Sequence, residues 1–392
     1  MSKITETLEL AKTVLEQNTQ AEVEFGEAVE LESQHTVLRV PIIQGQGLPE
    51  SIVIKRVPED IEYGAQKRAL SEWAGLEFLA KVANSRQFAP RFLGGNAGKL
   101  LIVLEDLGNV PTLNRILHES DSASARQALV DYGIFLGTLQ GVTYGHETEF
   151  KQIQSQLNAE VPPSDSSIDL RGLLEQFREA FGPVTADYAG LEKEIINASA
   201  AMHDEQIFRT FQHHDAGPHN VLVTESGLRF IDFELAQYGN AFLDMTALRL
   251  AFPPFSQGHF LPKAVVIDYE NSYRETLSKV ISEISDESLY SWTLEQACAQ
   301  WIGSKVTSFG GLFYPIIVCN ELDKLPHPEM AKKIPEIQSL CYTWITAYLQ
   351  WFGEKPLLPH TRDTLQQIVD EIKQRNHEVE AAGMYGAFVS YP

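Results

Sequence analysis

Phe211-Gln212-His213-His214-Asp215-Ala216-Gly217-Pro218-His219-Asn220-Val221-Leu222-Val223, with Leu228-Arg229-Phe230-Ile231-Asp232-Phe233-Glu234 close behind, contains two short apolar strands around a turn at Glu225-Ser226-Gly227. Asp215 and Asn220 lie on the turn that enters the first strand, and Asp232 closes the second. Folding the hairpin brings three oxygen-bearing side chains together. A hard cation such as Mg²⁺ needs little more, because it takes few protein ligands and completes its shell with phosphates and water. Asn220 and Asp232 are therefore candidate metal ligands, and Asp215 is left as a candidate base. His213 is expected to pack and hydrogen-bond in support of the loop rather than to react. The spacing of His214 and His219 with other residues carries no zinc pattern.

Upstream the pattern is different. Val23 to Val57 fits three strands, with Gly45-Gln46-Gly47-Leu48-Pro49 as the turn between the second and third. From Gln66 to Val82 the period becomes helical, with Leu70, Trp73, Leu76, Leu79 and Ala80 on one side, and Leu100-Leu101-Ile102-Val103-Leu104 follows as a short apolar strand. Ile4, Leu8, Ala11, Val14 and Leu15 give the leading segment one inward helical face. Beyond Gly108 helical patterns dominate, apart from the hairpin. The chain is thus expected to be α+β and bilobal. An N-terminal lobe over residues 1–107 would hold an antiparallel sheet, one main helix and the leading helix; a larger, mainly helical lobe would span 108–392.

His213-x-Asp215-x-x-x-x-Asn220 together with Ile231-Asp232-Phe233 resembles the catalytic core of the aminoglycoside phosphotransferase and choline kinase-like group, relatives of the protein kinases. The resemblance implies a protein-kinase-like fold and transfer of the γ-phosphoryl group of ATP, with GTP not excluded, to a hydroxyl of a small molecule. It implies Mg²⁺ on Asn220 and Asp232, and Asp215 as base. Lys55, ending Ser51-Ile52-Val53-Ile54-Lys55, resembles the lysine that touches the α- and β-phosphates, and Glu72 stands where its pairing acid belongs, with Glu62 and Glu77 nearby. Glu105 and Leu107 fall in the strand and hinge that offer backbone groups to adenine. Asp244, in Gly239-Asn240-Ala241-Phe242-Leu243-Asp244, would brace the catalytic loop. Two departures stand out. Glu32-Ser33-Gln34-His35-Thr36 replaces a glycine-rich phosphate loop, leaving Ser33 and backbone amides to meet phosphate, and Glu234 replaces the glycine of protein kinases. The first departure motivates an alternative, a nucleotide-binding pseudokinase acting as scaffold or sensor. The second disfavours a protein kinase.

Composition narrows the partners. With 31 Lys+Arg against 53 Asp+Glu the formal net charge is −22, which argues against nucleic acid and mildly favours a cationic acceptor. Glu321 and Asp323, after an apolar run, are two carboxylates that such an acceptor could meet. No apolar run approaches a membrane span, no secretory signal is visible, and Cys298, Cys319 and Cys341 form no disulfide or thiolate-metal pattern. A cytoplasmic protein is the expectation.

Overall fold

The computed structural model describes residues 2–32, 36–57, 63–83, 86–157, 175, 178–185, 187–204, 206–251, 258–307, 312–325 and 327–391. Ser33 and Glu62 lie outside the described residues.

Helix α1 (Lys3–Thr19) begins at Ser2, whose hydroxyl accepts the Thr5 N–H. It lies on an antiparallel sheet made of β1 (Glu24–Phe25), β2 (Val29–Glu32), β3 (Thr36–Gln44) and β4 (Ser51–Arg56), and, after α2 (Tyr63–Val82), β5 (Phe92–Asn96) and β6 (Leu101–Glu105). The order is β1-β3-β4-β6-β5, with β2 also on β3. The first of the three expected strands is therefore two pieces. β1 pairs with Ile42 and Gln44 of β3, and β2 with Val37 to Arg39. Pro41 stands between the two pairings and has no N–H to give to a ladder.

Alternation along β4 decides what the sheet offers to each side. Ile52 and Ile54 are fully buried and pack with Leu38, Val40, Leu101 and Val103 against Ala11, Val14 and Leu15 of α1. Val53 and Lys55 consequently face the opposite side, where α2 and the rest of the chain lie. A one-residue slip would send Lys55 into the α1 core, so burial of the isoleucines fixes its direction.

The larger part contains α3 (Leu113–Glu119), α4 (Ser122–Thr143), α5 (Glu147–Leu157), α6 (Tyr188–Asp204), β7 (Arg209–Gln212), β8 (Val221–Thr224), β9 (Gly227–Phe230), β10 (Gln237–Asn240), α7 (Phe242–Met245), α8 (Lys263–Leu277), α9 (Glu287–Thr307), α10 (Ile334–Phe352) and α11 (Pro359–Arg375). Asp121 caps α4 by accepting from Ala123 N and Ser124 N. α4 and α8 approach closely because Gly133 has no side chain: a Cβ there would stand 2.4 Å from the Tyr269 carbonyl oxygen. β8 and β9 form the expected hairpin, while β7 pairs with β10 in a second two-stranded ladder that four-residue segments do not announce in sequence. One large apolar cluster runs from α2 through these ladders to α11. The arrangement is a bilobal α+β fold, an antiparallel sheet with α1 and α2 followed by a larger, mainly helical part. Among the described residues, no helix is long and apolar enough to cross a membrane.

Candidate active site

Lys55 is the junction of the two lobes. Its Nζ donates to Glu72 Oε1 of α2 at 2.7 Å and to Asp232 Oδ1 at 3.1 Å. Burial disfavours the ammonium, but the two carboxylates more than offset it and hold Lys55 above the ordinary lysine range. Glu72 is the acid that the fold brings to Lys55; Glu77 instead accepts from Trp73 Nε1 and pairs with Lys81. α2 sits close enough for this contact because Gly75 faces the segment after Asp232. A Cβ at Gly75 would stand 3.1 Å from Ala236 Cβ and 3.3 Å from Phe211 Cζ. Asp232 itself has φ 67°, a left-handed backbone that aspartate tolerates better than most residues, and His214 has φ 62°.

The loop after β7 is a hydrogen-bonded unit. His213, fully buried between Phe230 and Phe233, donates through Nε2 to the Ile231 carbonyl at 2.8 Å, and its Nδ1 accepts the Asp215 N–H at 3.3 Å. Both ring nitrogens are thus engaged with the imidazole neutral, and burial lowers its pKa in agreement. Asp244 Oδ2 and Oδ1 accept the N–H groups of His213 and His214. Asn220 Nδ2 donates to Asp215 Oδ2 at 2.9 Å and to the Asp215 carbonyl at 3.0 Å, while the Asn220 carbonyl accepts Ile231 N–H. That last bond joins the loop to the strand leading into Asp232. His219, given no role from sequence, stands with Nε2 3.5 Å from Asp215 Oδ2. Burial pushes the Asp215 carboxyl up, yet the bond to and charge of His219, with help from His213 and Asn220, leave it below the usual carboxylate range.

The donor set suits Mg²⁺. Asn220 directs its Nδ2 at Asp215, so its amide oxygen is the atom that could serve a metal, and Asp232 is a half-exposed carboxylate with one oxygen on Lys55. Among the described residues no group of three or more His, Cys, Asp or Glu side chains could hold a metal. An amide, a carboxylate and external oxygens are what the cleft offers.

Glu105 and Leu107 line the same cavity as Lys55, Glu72 and Asp232, a space of about 190 Å³ floored by Leu222 and roofed by Val37 and Val53. The Glu105 side chain turns away and accepts Arg91 N–H, so only its backbone can serve a base. Asp106, between them, was not legible in sequence. It accepts from Arg39 of β3, from Ser51 Oγ at 2.7 Å and from Gly108 N–H at 3.0 Å, and so clamps the crossing between lobes. A second space of about 230 Å³ adjoins Lys55 on the side of Arg68, which pairs with Glu234 at 3.4 Å. Glu321 is ion-paired to Lys324. None of these ion pairs has a local signature, apart from the i,i+3 spacing of the last.

A sequence profile of the phosphotransferase enzyme family matches residues 32–275, from the end of β2 through nearly all of α8. The chain belongs to the phosphotransferase enzyme family. This phosphotransferase is also similar to several solved structures. A choline/ethanolamine kinase family protein from Mesorhizobium loti is 12% identical with a TM-score of 0.43, covering 94% of this chain and 100% of that one. A choline kinase from Cryptosporidium parvum is 11% identical with a TM-score of 0.39, covering 90% and 89%. The streptomycin–ATP–APH(2'')-IIa ternary complex is 14% identical with a TM-score of 0.45, covering 80% and 98%. No curated protein sequence matches the phosphotransferase. The family assignment rests on the profile match, and it makes the protein a phosphotransferase.

Proposed function

We propose that this phosphotransferase moves the γ-phosphoryl group of ATP to a hydroxyl of a small molecule, with the nucleotide bound between a lobe ending near residue 107 and the remainder. The observation that carries the reading is the pair of linked clusters in one cleft: Lys55 shared by Glu72 and Asp232, and Asp215 tied to Asn220. Val37, Val53 and Leu222 supply apolar faces for a base, and the backbone at Glu105 and Leu107 supplies its polar edge. Lys55 positions the phosphates and Glu72 positions Lys55. Asn220 and Asp232 are the residues to hold Mg²⁺, which when bound neutralises charge on the phosphate oxygens.

Asp215 Oδ2 already faces Asn220 and His219, so Oδ1 is the oxygen that receives the acceptor hydroxyl. The hydroxyl oxygen bonds to the γ-phosphorus as the bond to the β,γ-bridging oxygen breaks, ADP departs, and the proton passes to Asp215. A carboxylate held below its ordinary pKa is a weak base, which suits a loose transition state in which orientation counts for more than early deprotonation. His213 and Asp244 hold the loop. Family membership and the cleft also favour this reading over a pseudokinase scaffold, which has no use for Asp215.

Thermal shift with Mg·ATP and an ADP-release assay over hydroxylated metabolites test the proposal. Stabilisation of the wild type, weakened in Asp232→Asn, and turnover abolished in Asp215→Asn are expected. Normal turnover by Asp215→Asn would sink the assignment of the base, and nucleotide binding without any turnover would return the pseudokinase.

A further inference from the structure

The carbonyl groups of Asp215, Ala216 and Gly217 are each held by a donor. Asn220 supplies its Nδ2 to the Asp215 carbonyl and its backbone N–H to the Gly217 carbonyl, both at 3.0 Å. Tyr132 Oη donates to the Ala216 carbonyl between them at 2.5 Å. The Asn220 bonds are internal to the loop, whereas Tyr132 belongs to α4, 84 residues away in sequence. On the other side of the base, Asp244 accepts the His213 and His214 N–H groups. Asp215 is therefore anchored from outside the loop both before and after its own position. Tyr132 has little freedom of its own. It is fully buried, its ring stacks on Tyr269 of α8 at 5.5 Å with 20° between the planes, and it meets Phe230 edge-on at 6.0 Å. α4 is fastened to α8 beside it, where Gly133 lies against the Tyr269 carbonyl and Ser272 Oγ donates to the Val130 carbonyl at 3.0 Å. Burial and the charges of Asp244 and Asp215 push the phenol far above its ordinary pKa, so it stays a donor.

We propose that Tyr132 is a positioning residue for the transfer step: by holding the Ala216 carbonyl to α4, it fixes where the Asp215 carboxylate stands against the acceptor hydroxyl. The inference rests on the phosphoryl-transfer reading above, in which Asp215 receives the proton of that hydroxyl. Ala216 is 3% exposed, so its carbonyl has no ready access to water, and loss of the phenol donor leaves it a buried acceptor without a partner. The carbonyl regains a partner only if the loop turns, and a turn at Ala216 moves the neighbouring Asp215. A displacement of about 1 Å at a reacting group costs on the order of a hundredfold in rate. Tyr132 is buried beneath the loop and touches neither nucleotide nor acceptor, so its contribution belongs to kcat and not to binding. The same helix holds the approaches to the loop in the same way: Thr143 Oγ1 accepts the Phe211 N–H at 3.3 Å, and Gln140 Nε2 donates to the Ala241 carbonyl at 3.0 Å. α4 is thus the support on which the loop and its Asp244 brace are mounted.

Tyr132→Phe keeps the ring and its stack on Tyr269 and removes the donor. With Mg·ATP and an acceptor found by the ADP-release screen, kcat per folded molecule should fall about ten- to hundredfold while the KM values for ATP and acceptor stay within about threefold. Tyr348→Phe is the control, because it deletes another buried phenol hydroxyl, one that bonds Glu295 at 3.1 Å between α10 and α9. It should lower the urea midpoint by a similar amount and leave kcat within about twofold. In carbonyl-¹³C NMR of aspartate-labelled protein the Asp215 signal should move or broaden in Tyr132→Phe and stay in place in Tyr348→Phe. A Tyr132→Phe enzyme with kcat within about twofold of wild type, or with an unmoved Asp215 signal, overturns the proposal. So does a loss confined to KM. A Tyr132→Phe protein that Mg·ATP no longer stabilises overturns it too, since Tyr132 then holds the fold and not the base. Normal turnover by Asp215→Asn, or a wild type that binds no Mg·ATP, overturns the phosphoryl-transfer reading and this inference together; activity lost in Asp215→Asn but kept in Tyr132→Phe overturns this inference alone.

Discussion

Asp244 accepts the His213 N–H on one carboxylate oxygen and the His214 N–H on the other, both at 2.8 Å. One buried side chain thus fixes the two residues that precede Asp215. Burial, opposed by those two donors and reinforced by the charge of Asp215, raises the Asp244 carboxyl from 3.8 to about 7. Protonation turns one acceptor oxygen into a hydroxyl and leaves a buried N–H without its partner. Turnover should therefore climb as pH rises through about 7, while Asp215, below the ordinary carboxylate range, stays ionised across that window. Stability carries the opposite sign. The folded pKa lies above the unfolded one, so the Asp244 contribution is full below about 4 and is lost as pH rises through about 7. A kcat–pH profile of wild type and Asp244→Asn checks the assignment. The limb near 7 should vanish in the variant, whose plateau drops roughly tenfold or more because one N–H now faces an amide NH₂. A limb that persists in the variant belongs to another group.

Lys55 separates two carboxylates that would otherwise face each other across the cleft. Lys55→Met should lower kcat/KM by about two to three orders of magnitude, in line with loss of a preorganised donor to a charged oxygen. Glu72→Gln should cost about tenfold, because Asp232 still engages Lys55. Lys55→Arg should not rescue activity, since a planar fork does not replace a compact ammonium between two carboxylates. Steady-state kinetics with saturating acceptor distinguish the three, and equal activity of Lys55→Arg and wild type would contradict the geometry.

Part of this site was legible in the sequence, and part was not, for a physical reason. Period-two alternation in β4 carries the direction of Lys55, because Ile52 and Ile54 must be buried. The spacing from His213 to Asn220 and on to Asp232 encodes a turn and a hairpin, both local objects. The contact between Arg39 and Asp106 joins residues 67 apart, and the pair Arg68–Glu234 joins two lobes. Such pairs depend on how the lobes meet, which no window of sequence contains. His219 is an intermediate case: it sits four residues after Asp215, but only the Gly217-Pro218 turn aims it back at the carboxylate. The break between β1 and β2 depends on Pro41 of the neighbouring strand, so the strand that breaks does not itself carry the signal.

The Asp106 clamp should affect nucleotide affinity more than chemistry. Asp106→Ala releases Arg39, Ser51 Oγ and the Gly108 N–H together, loosening the crossing that positions Leu107. The ATP KM should rise by about five- to twentyfold with kcat within about threefold, the split expected when uniform binding is lost. A kcat loss with unchanged KM would show that the crossing governs the catalytic loop instead.

The N-terminus of α11 is held by acids from two other helices. Glu295 of α9 accepts Leu357 and Leu358 N–H groups and Tyr348 Oη–H, and Glu194 of α6 accepts His360 and Thr361 N–H groups. Glu194 thus satisfies two N–H groups of the first helical turn, and Glu295 the two N–H groups just ahead of it. Glu295→Ala should destabilise the protein by about 2 kcal/mol in urea unfolding, with kcat per folded molecule unchanged. No change in the unfolding midpoint would mean that water caps α11 equally well.

His219 is the largest pull holding the Asp215 carboxyl below its ordinary value, through a 3.5 Å contact to the oxygen that also faces Asn220. Removing the imidazole leaves burial less opposed, so the Asp215 pKa should rise in His219→Ala. Carbonyl-¹³C NMR of aspartate-labelled protein measures this directly, with the Asp215 signal identified by its loss in Asp215→Asn. The linkage follows from the sign. A depressed folded pKa contributes stability that is present above the unfolded value and lost as pH falls through the folded one. His219→Ala should thus be less stable than wild type at pH 7, and the gap should close on acidification as both forms protonate. At pH 8, where Asp215 is ionised in either protein, turnover should differ by less than about threefold, because Oδ1 and not Oδ2 meets the acceptor. An Asp215 titration midpoint that is the same in both proteins would remove His219 from the electrostatics of the site and leave Asn220 and His213 to account for the depression.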